Sequence, residues 1–225
     1  GIEERNTTHY GQLLEKNTLP ELFDKLRLSA DYDKRMAAVK SFNESSQTHL
    51  KGLSLTAVKF GISFTNKFLN QANALVNVYL DGSIQVSTGA TEMGQGVNTN
   101  IKAIVADEFG IDYERVIVMA TSTEKNNNTS ATAASSATDL NGSAAQLACR
   151  AIKGRMQQVA ADYFAAQEVG IGAYPERIRF QDGMVFDERK PHLKLSFDDL
   201  VGHCYRSRVS LGERGHYATP SISFD

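Results

Sequence analysis

The stretch Gly89-Ala90-Thr91-Glu92-Met93-Gly94-Gln95-Gly96, GATEMGQG, holds three glycines in eight residues. It lies between a segment whose apolar residues alternate as in a strand and one whose apolar residues recur at helical spacing. Glycine reaches positive φ and leaves main-chain N–H groups uncovered. Because a helix is predicted to begin directly afterwards, we expect these amides at its positive end, which suits phosphate or another anion. The alternative is a tight turn without a ligand, the commoner role of such a stretch.

The neighbouring residues predict the elements that hold this stretch. Residues 74–80 and 83–88 flank Asp81-Gly82, a strong signal for a β-hairpin. On the other side a helix is predicted to run up to Gly110, a residue type that suits the position after a helix end. The apolar residues that predict this helix are Val97, Ile101, Ile104, Val105 and Phe109.

The rest of the chain predicts an α+β fold. Residues 1–50 are polar and predict a helical N-terminal segment, and 51–225 are expected to be part of a larger α+β domain. Residues 53–68 are rich in β-branched and aromatic side chains and predict a strand. The other predicted elements are helices from Leu19 and over 30–43, a strand over 115–119, a helix over about 139–166, a hairpin at Asp182-Gly183 and a helix capped by Ser196.

The composition excludes several classes of partner. With 22% charged residues and a net charge of −2, the chain offers no electrostatic reason to bind nucleic acid or a membrane surface. No apolar run approaches the roughly 18 residues of a membrane-spanning helix. Cys149 and Cys204 lie far apart and predict neither a disulfide framework nor a metal site, so a cytoplasmic setting is expected. Both ends, Gly1 and Asp225, look truncated, although a processed terminus is an equal alternative.

A second stretch, 129–138 (TSATAASSAT), contains no residue larger than threonine and also runs into a predicted helix. Small residues let a ligand approach the backbone, and the hydroxyl groups add hydrogen-bond donors. Taken alone, such a stretch is more often a flexible linker. Two such helix starts in one small domain nevertheless favour a shared anionic ligand.

The titratable residues predict no catalytic centre within the chain. The five histidines are scattered without the spacing of metal ligands. Glu92 is a conceivable base, but a polar residue at the rim of the glycine-rich stretch is the simpler interpretation. We therefore predict no catalytic residue and no metal ligand here.

Several short motifs follow one another along the chain in a fixed order. They are KFGISFT (59–65), FLNQA (68–72), YLDGS (79–83), TEMGQG (91–96), TAAS (132–135), Asp139, Gly142 and GHYATP (215–220). Together they resemble the molybdenum-binding part of xanthine dehydrogenases, closely over 51–152 and loosely over 1–50 and 155–200. The most specific feature of the resemblance is KFGISFT followed by TEMGQG.

The resemblance implies a role for each matching residue. The family segment whose backbone and glutamine hold the pterin of the molybdenum cofactor matches Met93, Gly94 and Gln95. The second pterin-holding segment matches Ala134, Ser135, Ser136 and Ala137. The substrate positions match Phe64, whose ring packs against the purine, Thr65, whose hydroxyl hydrogen-bonds to it, and Ala133 and Ala134, which lie beside the metal's ligands.

The chain departs from the family pattern at two places and lacks two of its motifs. Gly89-Ala90 stands where a double glycine is common, and Ala137 stands where a serine is common; backbone donors survive both changes. Neither the glycine-phenylalanine and arginine motifs nor the Gly-Glu-Pro-Pro motif with its general-base glutamate occurs in the chain. The resemblance therefore implies a fragment that is inactive by itself.

The resemblance implies a molybdenum hydroxylase that oxidises hypoxanthine and xanthine to urate. This chain would supply pterin and purine contacts, and FAD and 2Fe-2S clusters are expected on partner domains or subunits of a cytoplasmic homo-oligomer. An aldehyde oxidase or another aromatic-heterocycle hydroxylase is the nearer alternative, although residues 64–65 and 217–220 resemble the purine enzyme more. A non-catalytic module that binds a pterin or nucleotide is the alternative from another class.

Overall fold

The computed structural model describes residues 5–58, 60–168 and 172–222. Contacts divide the described residues into two compact units, one that ends at Gly61 and one that runs from Ile62 to Ile222. Both helices and sheets are present, so the predicted α+β class is confirmed. No helix within the described residues is long and apolar enough to cross a membrane.

The first unit contains the two helices predicted for the start of the chain, α1 (Leu19–Ser29) and α2 (Tyr32–Ser45). Asp31 joins them in a left-handed conformation with φ of 48°, and Arg27 pairs with Asp33 at 2.8 Å across the joint. No residue of either helix is buried. The boundary after residue 50 between this helical segment and the larger domain stays a prediction.

The predicted strand over 53–68 is wrong. The described residues from 53 to 66 form neither helix nor strand, Lys67–Leu69 form a short 3₁₀ turn, and Lys59 lies outside the described residues. Val58 and Phe60 are 80% and 61% exposed. β-propensity reports how well a side chain fits a pleated, half-buried surface, and no strand pairs with these residues in the described chain. Propensity alone therefore does not make a strand here.

The second unit contains two sheets. Its strands are β1 (Gln71–Val78), β2 (Ile84–Thr88), β3 (Val116–Val118), β4 (Ile178–Gln181), β5 (Met184–Asp187), β6 (Lys190–Ser196) and β7 (Gly212–Ala218). One sheet has the order β3-β2-β1-β7, in which β1 is antiparallel to both neighbours and β3 is parallel to β2. The other sheet is antiparallel, in the order β4-β5-β6. The predicted hairpins at Asp81-Gly82 and Asp182-Gly183 and the predicted strand near 115–119 are therefore confirmed.

Three helices pack around these sheets: α3 (Val97–Phe109), α4 (Ser143–Gln167) and α5 (Phe197–Arg206). Gly110 follows α3 with φ of +58°, and the Ser196 hydroxyl accepts from the amide of Asp199 at the start of α5, so both predicted caps are confirmed. A π-helical turn, Thr138–Gly142, leads directly into α4, and such turns are frequent at functional sites. The largest fully buried side chains come from these helices and both sheets and include Ile84, Val86, Ile101, Phe109, Ile152, Met156, Phe164, Ile178 and Phe197.

Helix α4 lies so close to strand β7 that only glycine fits at position 215 of the strand. A Cβ added to Gly215 would lie 1.9 Å from the carbonyl oxygen of Ala144 and 2.9 Å from the amide nitrogen of Ala148. Both atoms belong to the backbone of α4 and cannot turn aside as a side chain could. Because the π-helical turn Thr138–Gly142 joins the 129–138 stretch to α4, this contact fixes where that stretch ends against the sheet.

Gly215→Ala should lower the free energy of unfolding by about 1–3 kcal/mol, because the added methyl forces α4 away from the sheet. The control is Gly154→Ala in α4, where no atom lies within 4 Å of the added carbon. It should raise the free energy of unfolding by about 0.5–1 kcal/mol, because alanine is the better helix former. Urea unfolding measures both, and equal effects would contradict the close contact between α4 and β7.

Candidate functional site

The 89–96 stretch leads from β2 into α3 and is exposed from residue 91 to residue 95. Gly94 and Gly96 have φ of +93° and +80°, in the left-handed region that favours glycine. Gly96 is the N-cap of α3. No atom lies within 4 Å of a Cβ added to either glycine, so their backbones are open on that side. The turn with positive φ that the sequence predicts is therefore present.

One carboxylate occupies the amides at the start of α3. Glu92 Oε1 accepts from the amides of Gly94 at 2.9 Å and Gly96 at 3.0 Å, and Oε2 accepts from the amide of Asn98 at 3.0 Å. These bonds, that of Asn98 first, hold the pKa of Glu92 below its ordinary value. A negative charge is also stabilised at a helix N-terminus. The amides lie at the positive end of the helix as expected, and the loop itself supplies the anion that binds those of Gly94, Gly96 and Asn98.

The side chain of Gln95 holds the first part of the loop, residues 91–93, through two hydrogen bonds. Its Oε1 accepts from the amide of Met93 at 2.6 Å, and its Nε2 donates to the carbonyl of Thr91 at 2.9 Å. Both polar ends of the side chain therefore bind within the loop, while the side chain of Met93 is 66% exposed. The shape of the loop is set by two of its own side chains, Glu92 and Gln95.

The 129–138 stretch is held in a defined conformation. Ala134 and Ser135 both have φ of +53°, which is uncommon for residues with a Cβ and persists where the surroundings enforce it. Ser136 is 1% exposed, and its hydroxyl and amide both donate to the carbonyl of Ala133, at 3.0 and 3.2 Å. Ala133 and Ser135 are exposed. The stretch therefore combines a buried anchor with accessible small residues.

A hydrogen bond between two threonines joins the two stretches. The amide of Thr91 donates to Oγ1 of Thr132 at 2.8 Å. A Cβ on Gly89 would meet Cγ2 of Thr129 at 2.0 Å, so the glycine is what lets Thr129 lie against the first stretch. The structure thus brings the two stretches that the sequence singles out side by side.

Asn70 ties the loop of Phe64 to the same region. Its buried side chain accepts from the amide of Phe64 at 2.8 Å and donates to the carbonyl of that residue at 2.9 Å. Its own carbonyl accepts from the amide of Thr219, whose hydroxyl donates to Asp139 at 3.4 Å, just beyond the second stretch. Phe64 is half-buried and Thr65 is exposed. These bonds position the backbone of Phe64, and none within the described residues fixes its ring or the Thr65 hydroxyl.

One buried polar atom next to the second stretch has no described partner. Asn141, in the π-helical turn, is 3% exposed and donates from Nδ2 to the carbonyl of Ala137 at 3.0 Å. Its Oδ1 is buried and accepts from none of the described residues. Buried polar atoms are almost always paired, so an unused acceptor beside the second stretch is unusual.

The cysteines are not placed for chemistry. Cys149 and Cys204 are buried and free, and burial raises the pKa of the first to about 12 and of the second to about 11. Within the ranges that the structure describes, no group of three His, Cys, Asp or Glu side chains could hold a metal ion. The two stretches and the residues beside them therefore offer backbone groups, hydroxyls and the side-chain amides of Gln95 and Asn141, and Glu92 is the charged residue of the first stretch.

Some of these contacts have a signal in the sequence and others have none. A carboxylate four residues before the N-cap, within a glycine-rich turn, is a readable signal for Glu92 as a helix cap, although the sequence suggested a rim residue. Thr132 binds a residue 41 positions away, and Thr219 binds one 80 positions away. No local pattern identifies such pairs.

The sequence matches the family described as molybdopterin cofactor-binding domain over residues 25–225. It is 37% identical over 222 residues to a xanthine dehydrogenase of Oryza sativa subsp. japonica, and 36% identical over 222 residues to a xanthine dehydrogenase/oxidase of Felis catus. Each of these matches covers 99% of this chain and 14% of the relative. The chain therefore spans a small part of the length of these relatives.

Solved structures show the same fold. An aldehyde oxidoreductase from Desulfovibrio desulfuricans ATCC 27774 matches with a TM-score of 0.62 and 19% identity, over 99% of this chain and 20% of that one. A quinoline 2-oxidoreductase from Pseudomonas putida 86 matches with a TM-score of 0.58 and 22% identity, over 67% of this chain and 19% of that one. At these identities the likeness concerns the fold alone.

Thr132→Val should loosen the connection between the two stretches. Valine keeps the shape of the side chain but removes the oxygen that accepts from the amide of Thr91. We expect the free energy of unfolding to fall by about 0.5–1.5 kcal/mol, and hydrogen exchange at the Thr91 amide to become faster. Thr99→Val is the control, because Thr99 is exposed in α3 and its hydroxyl bonds to no described residue. Equal effects of the two substitutions would show that this bond does not hold the stretches together.

Proposed function

Because the chain belongs to the molybdopterin cofactor-binding domain family, we propose that the 89–96 and 129–138 stretches bind the pterin of a molybdenum cofactor. The observation that carries this proposal is the bond from the Thr91 amide to Thr132, which brings the exposed residues of the two stretches together on one surface. The residues proposed to contact the pterin are Met93, Gly94, Gln95, Ala134, Ser135, Ser136 and Ala137.

The groups present fit such a ligand. A pterin ring is flat and uncharged and carries hydrogen-bond donors and acceptors along its edge. Backbone groups and the exposed hydroxyl of Ser135 can pair with that edge without bringing charge to it. The open sides of Gly94 and Gly96 let a ring approach the main chain, and Gln95 keeps one Nε2 hydrogen beyond the one bound to Thr91.

When bound, the molybdenum cofactor supplies the centre that exchanges electrons with the substrate. The residues of this chain bind and orient the reactants. The Phe64 ring packs against a purine, the Thr65 hydroxyl hydrogen-bonds to it, and the methyl groups of Ala133 and Ala134 leave it room. Glu92 is the only carboxylate in the two stretches, and its oxygens already accept from three amides. The general base is proposed to come from a part of the full-length protein outside this chain.

The full-length protein is proposed to be a molybdenum hydroxylase of the xanthine dehydrogenase type, which oxidises hypoxanthine and xanthine to urate. The 37% identity to a xanthine dehydrogenase over 222 residues supports this substrate class. Electrons would leave through 2Fe-2S clusters and FAD on partner domains or subunits. A cytoplasmic location and a homo-oligomeric assembly belong to the same proposal, as does the absence of a nucleic-acid or membrane partner.

Gly94→Val in the full-length protein tests the pterin contact. Valine is disfavoured at φ of +93°, and its side chain would fill the open space beside the backbone. Gly183→Val is a matched control, because Gly183 has φ of +72° and an equally open side in the β4–β5 turn. Both variants should lose similar stability, and Gly94→Val alone should lose pterin and molybdenum.

The measurements are pterin and metal content per folded protein and a melting curve, all on one preparation. Normal metal content in folded Gly94→Val, alongside a lowered melting temperature, would mean that the 89–96 stretch is only a turn. Loss of metal in both variants would mean that the effect is not specific to this loop.

Phe64→Ala in the full-length protein tests the substrate contact. Loss of aromatic packing should cost about 0.5–1.5 kcal/mol of the free energy of purine binding, beyond the loss of buried area. This corresponds to a KM for xanthine that is higher by about two- to twelvefold. Phe68→Ala is the control, because Phe68 lies in the same loop and is 65% exposed. Steady-state kinetics and molybdenum content are measured for both. Loss of molybdenum in Phe64→Ala, with a normal KM in the remaining activity, would make Phe64 structural.

A further inference from the structure

We propose that Glu92 is a positioning residue of the 89–96 loop, and this inference rests on the proposed pterin function. Its carboxylate takes the place of an external anion at the start of α3. It thereby holds the loop backbone in the form that receives the uncharged ring of the cofactor, and it keeps the cofactor's phosphate away from this helix end.

The hydrogen bonds of Glu92 go to the residues that give the loop its unusual shape. Two of its three donors, Gly94 and Gly96, are the glycines at positive φ, and the third, Asn98, lies in the first turn of α3. Oε1 accepts hydrogen bonds from the amides of Gly94 and Gly96, and Oε2 accepts one from the amide of Asn98 in the helix. The carboxylate therefore fixes both the turn and its direction into the helix.

The charge of Glu92 decides which part of a ligand can approach. The free amides of a helix N-terminus carry a partial positive charge that attracts anions. Here the Glu92 carboxylate lies 3.0 Å from two of these amides, those of Gly96 and Asn98, and 2.9 Å from the loop amide of Gly94, so its negative charge already balances the partial positive charge of the helix end. A phosphate at the same place would face a like charge and find these donors occupied. The remaining open features, the sides of Gly94 and Gly96, suit an uncharged ring.

Substitutions separate the shape of the side chain from its charge. Glutamine at position 92 keeps one acceptor oxygen for the glycine amides, but it turns an NH₂ group towards the amide of Asn98. Alanine removes all three acceptors. Glu44→Gln is the matched control for loss of one negative charge, because Glu44 is exposed in α2 and its side chain bonds to none of the described residues.

The experiment compares Glu92→Gln, Glu92→Ala and Glu44→Gln with the wild type in the full-length protein. Hydrogen exchange is followed by mass spectrometry on a peptide that covers residues 89–98, with and without inorganic phosphate. We expect exchange in Glu92→Ala to be faster by about tenfold or more, the size expected when a charged acceptor is lost. The exchange rate in Glu92→Gln should lie between those of the wild type and Glu92→Ala, and the rate in Glu44→Gln should match that of the wild type.

Two further measurements would not change if Glu92 only stabilised the fold. They are the effect of inorganic phosphate on hydrogen exchange and the pterin content per folded protein. Phosphate should slow exchange of the peptide in Glu92→Ala, because it replaces the missing carboxylate, and should leave the wild type unchanged. Pterin content per folded protein should fall in Glu92→Ala and stay normal in Glu44→Gln.

Three results would overturn the role of Glu92. They are unchanged exchange in Glu92→Ala, exchange that phosphate does not slow in that variant, and faster exchange with a normal pterin content. A wild type that carries no pterin at all would instead overturn the proposed function, and with it this inference. The two failures are distinguishable, because the second is seen in the wild type alone.

Discussion

The hydrogen bond from the Thr91 amide to Thr132 Oγ1 is the contact on which the site depends. The β1–β2 hairpin sets where the first stretch starts, and the packing of α4 on Gly215 sets where the second stretch ends. Neither constraint alone brings the two stretches together. The bond between the threonines, with Thr129 lying against Gly89, makes one exposed surface out of two loops. Asn70 and Thr219 attach the loop of Phe64 to the edge of this surface.

This surface is built from main-chain groups, and its electrostatics follow from Glu92. A loop of glycines before a helix resembles an anion site in sequence, because both expose amides at the positive end of a helix. In this chain the carboxylate of Glu92 satisfies that end from within the loop. Recognition is left to uncharged donors and acceptors, whose directions are fixed by the backbone. Such a surface suits a heterocyclic ring better than a phosphate group.

Local signals predicted most of the fold, and contacts between distant residues decided the rest. The hairpins, α3 and the cap at Ser196 follow from turn residues and periodicity within a few positions. The predicted strand over 53–68 failed, because a strand needs a partner and the described chain gives these residues none. In the site, the two small-residue stretches were predictable from composition. Their meeting through Thr132 was not, because its partner lies 41 positions away in the sequence.

An experimental structure of the full-length protein with its cofactor bound tests the central claim most directly. The quantity to measure is the set of distances from the pterin ring to the backbone atoms of residues 93–95 and 134–137. We expect hydrogen-bond distances to both stretches in one molecule, with Glu92 still bound to the amides of Gly94, Gly96 and Asn98. A pterin that contacts neither stretch, or a phosphate in place of the Glu92 carboxylate at the start of α3, would contradict the account.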